Sequence, residues 1–176
     1  RSKIAAKGDL YMIVSHRFGP LKDGVDTFYG LDEASTKMQL LYSFWEGVQL
    51  SISRESYNRT FASALKFRLA KQTEKFPVNI VGYGIINKNT LINKTTFPEL
   101  QPEDAFSYAA QILISKRFSE TFSLEIVPSF IRENLQNLNL VSEAKHNQFA
   151  FGIGGRYKLS KRISLNGEYI YNTSRA

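Results

Sequence analysis

The stretch 60-TFASALKFRLA-70 decides the fold. Phe61, Leu65, Phe67 and Leu69 occupy alternate positions, and Thr60, Ala62, Ala64, Lys66 and Arg68 fall between them. A two-residue period is the signature of a β-strand whose faces meet different surroundings, because successive side chains point to opposite sides. The run continues to Lys71 and reaches the roughly 9 to 11 residues that cross a bilayer at a tilt, whereas soluble strands average about 5 to 6.

The same alternation recurs along the chain. In "KMQLLYSF" Met38, Leu40, Tyr42 and Phe44 share a face, and in "VQLSIS" Val48, Leu50 and Ile52 oppose Gln49, Ser51 and Ser53. "FSYAAQILIS", "FSLEIVPSF", "QFAFGIGGRYKL" and "RISLNGEYIY" continue the series. With the runs starting near Asp9 and Val78, the pattern predicts about nine strands and no helical stripe.

Connection lengths alternate as well. Long segments run from Gly19 to Ser35, Asn87 to Glu103 and Arg132 to Lys145, with a shorter one around Tyr57. Tight links fall between them: "FWEG", "KQTEKF", "RFSET" and "LSKR". Short turns at one end and long loops at the other describe an up-and-down antiparallel barrel. "ISKRFSETFSLEI" and "LSKRISLNGEY" resemble each other as repeated hairpins of such a barrel.

The less apolar face distinguishes a membrane barrel from a soluble one. A soluble barrel would fill its water-facing side with Lys and Glu. Here the mid-strand positions are small, among them Ser51, Ser53, Ala62, Ala64, Ala109, Ala150, Gly152 and Gly154. Isolated charges at Lys66, Arg68, Glu125, Arg156 and Glu168 suit a narrow lumen in which opposite charges meet. Phe44, Trp45, Phe76, Phe118, Phe122, Tyr157, Tyr169 and Tyr171 lie near strand ends, as an interfacial girdle requires. The fold class expected is therefore all-β: an up-and-down antiparallel membrane β-barrel. It forms one domain over residues 1–176 and lacks its final strand or strands, the complete barrel having roughly 10 to 12. A soluble periplasmic lipid-binding barrel, with its ligand against the aromatic face, is the alternative.

Composition narrows the chemistry. The chain has no cysteine and only two histidines, so thiolate metal sites are excluded and a zinc or haem site has few ligands. No cofactor is expected. The net charge of +7 could suit nucleic acid, but the basic residues are scattered. Pairs such as Lys116-Arg117 and Lys161-Arg162 sit at turns, as solvated surface charge does, and no nucleic-acid partner is expected. The chain opens "RSKIAAKGDL", without methionine.

The most conspicuous loop is 15-SHRFGPLKDGVDTFYGLD-32. A hydrolase would need Ser, His and an acid to converge, yet Ser15 and His16 are strand neighbours and point oppositely. His146 follows a polar loop and reads as solvated. "GIGG" at Gly152 to Gly155 precedes no helix and fails as a nucleotide loop. The triplets at Asn58, Asn93 and Asn172 fit the glycosylation pattern, which arises easily by chance. Arg17 shares the parity of Ser15 and would face the lumen, where Asp32 could return from the loop to pair with it. With Lys66, Arg68, Glu125, Arg156 and Glu168, these two complete the expected polar network of the lumen.

The segments "GDLYMIVSHRFG", "FYGLD" and "LKFRLAKQ" followed by "FPVNI" resemble a family of uncharacterised membrane-bound β-barrel proteins of Bacteroidota. The family carries a His-Arg-Phe-Gly motif after an early strand, then an aromatic-Gly-Leu-Asp motif, then a Lys-rich strand leading to Gln and a Pro-Val start. Its C-terminal Gly-Gly-His segment is not in this chain, in keeping with further residues beyond Ala176. The resemblance implies the bacterial outer membrane and offers no reaction. The expectation is a non-enzymatic outer-membrane barrel, either a small-solute passage or a structural subunit of an envelope complex. Its partners are membrane lipid and other envelope proteins. A barrel-embedded hydrolase using His16 or His146 is the enzymatic alternative.

Overall fold

Each alternating run forms a strand that pairs with the next. The computed structural model describes residues 2–19, 21–32, 34–92, 95, 100–134 and 147–173. Its strands are β1 (Leu10–Arg17), β2 (Ser35–Trp45), β3 (Val48–Glu55), β4 (Thr60–Ala70), β5 (Asn79–Asn89), β6 (Phe106–Arg117), β7 (Phe122–Glu133), β8 (Asn147–Lys158) and β9 (Ser164–Asn172). They form one nine-stranded antiparallel sheet in sequence order, and β1 and β9 are its two edges, so the sheet is not closed on itself. Among the described residues there is no α-helix; short 3-10 turns span Leu21–Thr27, Tyr57–Arg59 and Pro102–Ala105.

Connection lengths divide the sheet into two ends. At one end β2 and β3 are joined by Glu46 and Gly47 alone, and β6 to β7 and β8 to β9 by similarly short turns. The link from β4 to β5 runs from Lys71 to Val78, and β5 starts at Asn79, within a residue of the start read near Val78. The loop between β1 and β2 is at the other end. Its base is closed where the Gly19 amide donates to the Gly30 carbonyl at 2.7 Å. Gly30 has φ +82°, and a Cβ there would lie 2.3 Å from the Gly19 carbonyl oxygen, so only glycine fits.

Register assigns the faces. Ala62, Ala64, Lys66 and Arg68 of β4 lie opposite Asn87, Ile85, Tyr83 and Val81 of β5, which continue across to Ser107, Ala109, Gln111 and Leu113 of β6. This is the inward, concave face. The other face carries Phe61, Leu65, Phe67 and Leu69, exposed by 37% or more. Ala64, Val81 and Leu113, by contrast, are 5%, 0% and 4% exposed. The small-residue face is thus the inside, as the alternation predicts, and the large apolar side chains point outward.

Two local departures follow from residue chemistry. The β6–β7 pairing lapses between Gln111↔Ser129 and Ile114↔Ile126 and resumes in the same register; Pro128 lies in that gap and has no amide to donate. Gly82 pairs with Phe67 on the outward face, and a Cβ there would lie 2.4 Å from the ring, so the ring packs over bare backbone.

The segment preceding β1 folds back into the concavity. Ile4, 7% exposed, packs with Val81 and Leu113 in the small buried cluster, with Tyr83 and Val127 around it. The Ser2 amide donates to Glu125 Oε2 at 2.7 Å, and the Ser2 and Ser115 hydroxyls are 2.7 Å apart.

Candidate functional site: the polar inner face

Strand parity delivers most of the expected network to the inner face, in two groups. Lys66 sits at mid-strand with Nζ 5.8 Å from the centre of the Tyr83 ring. It borders a cavity of about 290 Å³ lined also by Gln39, Gln49, Ser51 and Gln111. Nearer the short turns, Arg68, Glu125, Arg156 and Glu168 line a larger cavity of about 920 Å³, together with Ser2 and Ile4.

Within the larger cavity the charges have separate tasks. Arg68 Nη1 donates to Glu46 Oε1 at 2.9 Å, and the Arg68 amide donates to the Gly47 carbonyl, so this arginine fastens the β2–β3 turn. Glu125 receives the Ser2 amide. Glu168 lies across from Gly154 and Arg156 across from Asn166, and the large exposure of both comes from their position beside the β9 edge. The cavity wall mixes basic and acidic groups.

Arg17 and Asp32 do not join this group. Arg17 ends β1 with the inward parity expected, pairing with Ser35, but among the described residues no ion pair links it to Asp32, and both are exposed. The expected closure across the mouth does not form: both side chains stay in water, where an ion pair gains little, and the loop base is held by the Gly19–Gly30 backbone bond. Ser15 and His16 point to opposite faces, and His16 Nδ1 is 3.1 Å from Thr36 Oγ1. His146 and Asn93 lie outside the described residues.

A network of amides and hydroxyls was not anticipated from the charges. Gln39 Nε2 donates to Ser51 Oγ at 3.2 Å, Gln111 Nε2 to Ser129 Oγ at 3.0 Å, and Asn172 Nδ2 to Gln148 Oε1 at 2.9 Å. Asn79 reaches Ser115 and Asn87 reaches Ser107, each at 3.4 Å. Each bond joins neighbouring strands across the inner face, so the polar lining also cross-links the sheet. The signal available in the sequence was Gln, Asn and Ser repeating at the parity of the small residues. Such a lining offers donors and acceptors to a hydrophilic solute without burying an unpaired charge. Among the described residues, no three His, Asp or Glu side chains come together as a metal site.

An exposed apolar exterior, a polar interior and antiparallel strands in sequence order define the class: a membrane β-barrel. The chain belongs to the family described as membrane bound beta barrel domain (DUF5777), whose pattern matches residues 2–176. No curated protein and no solved structure matches the chain.

Proposed function

We propose that this membrane barrel is a non-enzymatic, outer-membrane passage for small polar solutes. The observation that carries the reading is the division between an apolar outward face and an inward face bearing two polar cavities. Amide and hydroxyl groups along the inner face replace water around a solute without a strong fixed binding site, as conduction requires. Short turns at one end and longer loops at the other fit the bacterial outer membrane, where the loops face outward. The opposite projection of Ser15 and His16 supports a role without catalysis. The outward direction of the large apolar side chains favours this reading over a soluble lipid-binding barrel.

Osmotic swelling of proteoliposomes tests it. Vesicles carrying the folded protein should swell in monosaccharide and progressively less in larger sugars. Swelling no faster than in protein-free vesicles, with the barrel verified as folded by gel mobility, overturns the proposal.

A second reading, a structural subunit of an envelope complex, draws on the β1–β2 loop. Phe18, Val25, Phe28, Tyr29 and Leu31 are all exposed there, and exposed apolar residues gathered in one loop suit protein contact. A photo-crosslinker at Val25 should give one discrete adduct with an envelope protein in intact cells; no adduct counts against this reading.

A further inference from the structure

Outward-facing charge on this sheet is confined to strand ends and has one sign. Across β1 to β9, no acidic side chain occupies an outward position; the ionised ones are Arg54, Lys88 and Arg132 at the long-loop ends of β3, β5 and β7, and Lys116 at the other end of β6. The acids adjacent in sequence, Glu55 and Glu133, have inward parity. The turn before β6 carries two acids: the Asp104 carboxylate accepts the Gln101 amide at 2.9 Å, and Glu103 is exposed, its carbonyl accepting Asn134 Nδ2 at 2.8 Å.

The cations alternate with aromatic rings in cross-strand register. Arg54 lies opposite Phe61, Phe61 opposite Lys88, and Lys88 opposite Phe106, giving a four-strand ladder. The Arg54 guanidinium carbon is 5.1 Å from the centre of the Phe61 ring, and Lys88 Nζ is 5.4 Å from that of Phe106. Phe106 stacks on Tyr108 at 6.4 Å, and Tyr108 lies opposite Arg132. Arg132 Nε donates to Asn134 Oδ1 at 3.0 Å, which holds the guanidinium at the rim. Rings set the depth of the hydrocarbon boundary, and cations beside them extend to the level of the headgroups.

We propose that this cation–aromatic ladder is a binding site for the phosphate of anionic membrane lipids in the leaflet on the long-loop side. The occupant follows from charge complementarity and depth: two guanidinium groups and an ammonium, with no acid at an outward strand position among them, stand where acyl chains lying on the apolar face carry their phosphates. Guanidinium groups match phosphate oxygens in bidentate geometry, and the ammonium adds a point charge. The site is independent of whether the barrel conducts.

Native mass spectrometry of the purified full chain, titrated separately with phosphatidylglycerol and phosphatidylcholine, tests the site. The wild-type protein should bind phosphatidylglycerol more tightly, and the preference should fall by about five-fold for each rim cation removed among Arg54→Gln, Lys88→Gln and Arg132→Gln. Lys116→Gln, at the opposite rim, should leave the tightest site unchanged. Equal affinity for the two lipids, an undiminished preference in the triple variant, or a loss in Lys116→Gln as large as in the triple variant each overturns the proposal. If the triple variant does not fold, the single Lys88→Gln and Arg132→Gln variants decide by the same criterion.

Discussion

The two faces of β4 follow opposite rules. Outward, Phe61, Leu65, Phe67 and Leu69 are large and exposed; inward, Ala62 and Ala64 are small and buried. In a soluble sandwich the large apolar residues would be the ones hidden. The contrast teaches that volume limits the inside, where opposing strands and the incoming Ile4 compete for space, and that hydropathy alone governs the outside, where lipid takes any apolar shape. The polar residues obey the same division, with amides and hydroxyls cross-linking the inner face and the outward cations confined to the rims.

Substitutions at neighbouring positions can break this contrast. Leu65→Arg, at the centre of the outward face, should cost about 2 to 4 kcal/mol in unfolding titrations from lipid vesicles, whereas the inward Glu168→Arg should stay within about 0.5 kcal/mol; similar losses at both would dissolve the distinction. Ala64→Phe should overpack the interior by about 1 to 3 kcal/mol in the same titration, and Ser63→Phe, one residue away and outward, should not destabilise. Gln111→Leu removes the bond to Ser129 and should cost about 0.5 to 1.5 kcal/mol; a double-mutant cycle with Ser129→Ala that shows no coupling would limit the amide network to lining the cavity. The smallest effect is expected for Glu46→Gln at the turn. Glu46 itself is largely open to water, and its pairing with Arg68 should contribute less than about 1 kcal/mol, declining with added salt.

Strand identity was legible because alternation is a local signal. Residues with the parity of Lys66, Arg68, Glu125, Arg156 and Glu168 could be assigned to one face, and the register places all five there. That Arg17 and Asp32 stay apart was not legible, because it depends on the path of a loop. That path is set by the Gly19–Gly30 backbone bond and by left-handed backbone at Phe28, Tyr29 and Gly30, with φ of 46°, 56° and 82°, which spacing does not reveal. The start of β5 was legible as well: the run read near Val78 enters the ladder at Asn79, after a proline that has no amide to give it. Ile4 gave no signal at all, since one apolar residue in a polar segment has no period.

The seating of Ile4 bears on the order of folding. The segment before β1 bonds to Glu125 and Ser115, which are 123 and 113 residues from Ser2 along the chain, and so it works like the string of a bow, drawing the first strand toward the middle of the sheet. Contacts of such long range are slow to find, since the entropy of loop closure is lost before they form. Once made, they tie the start of the chain to β6 and β7.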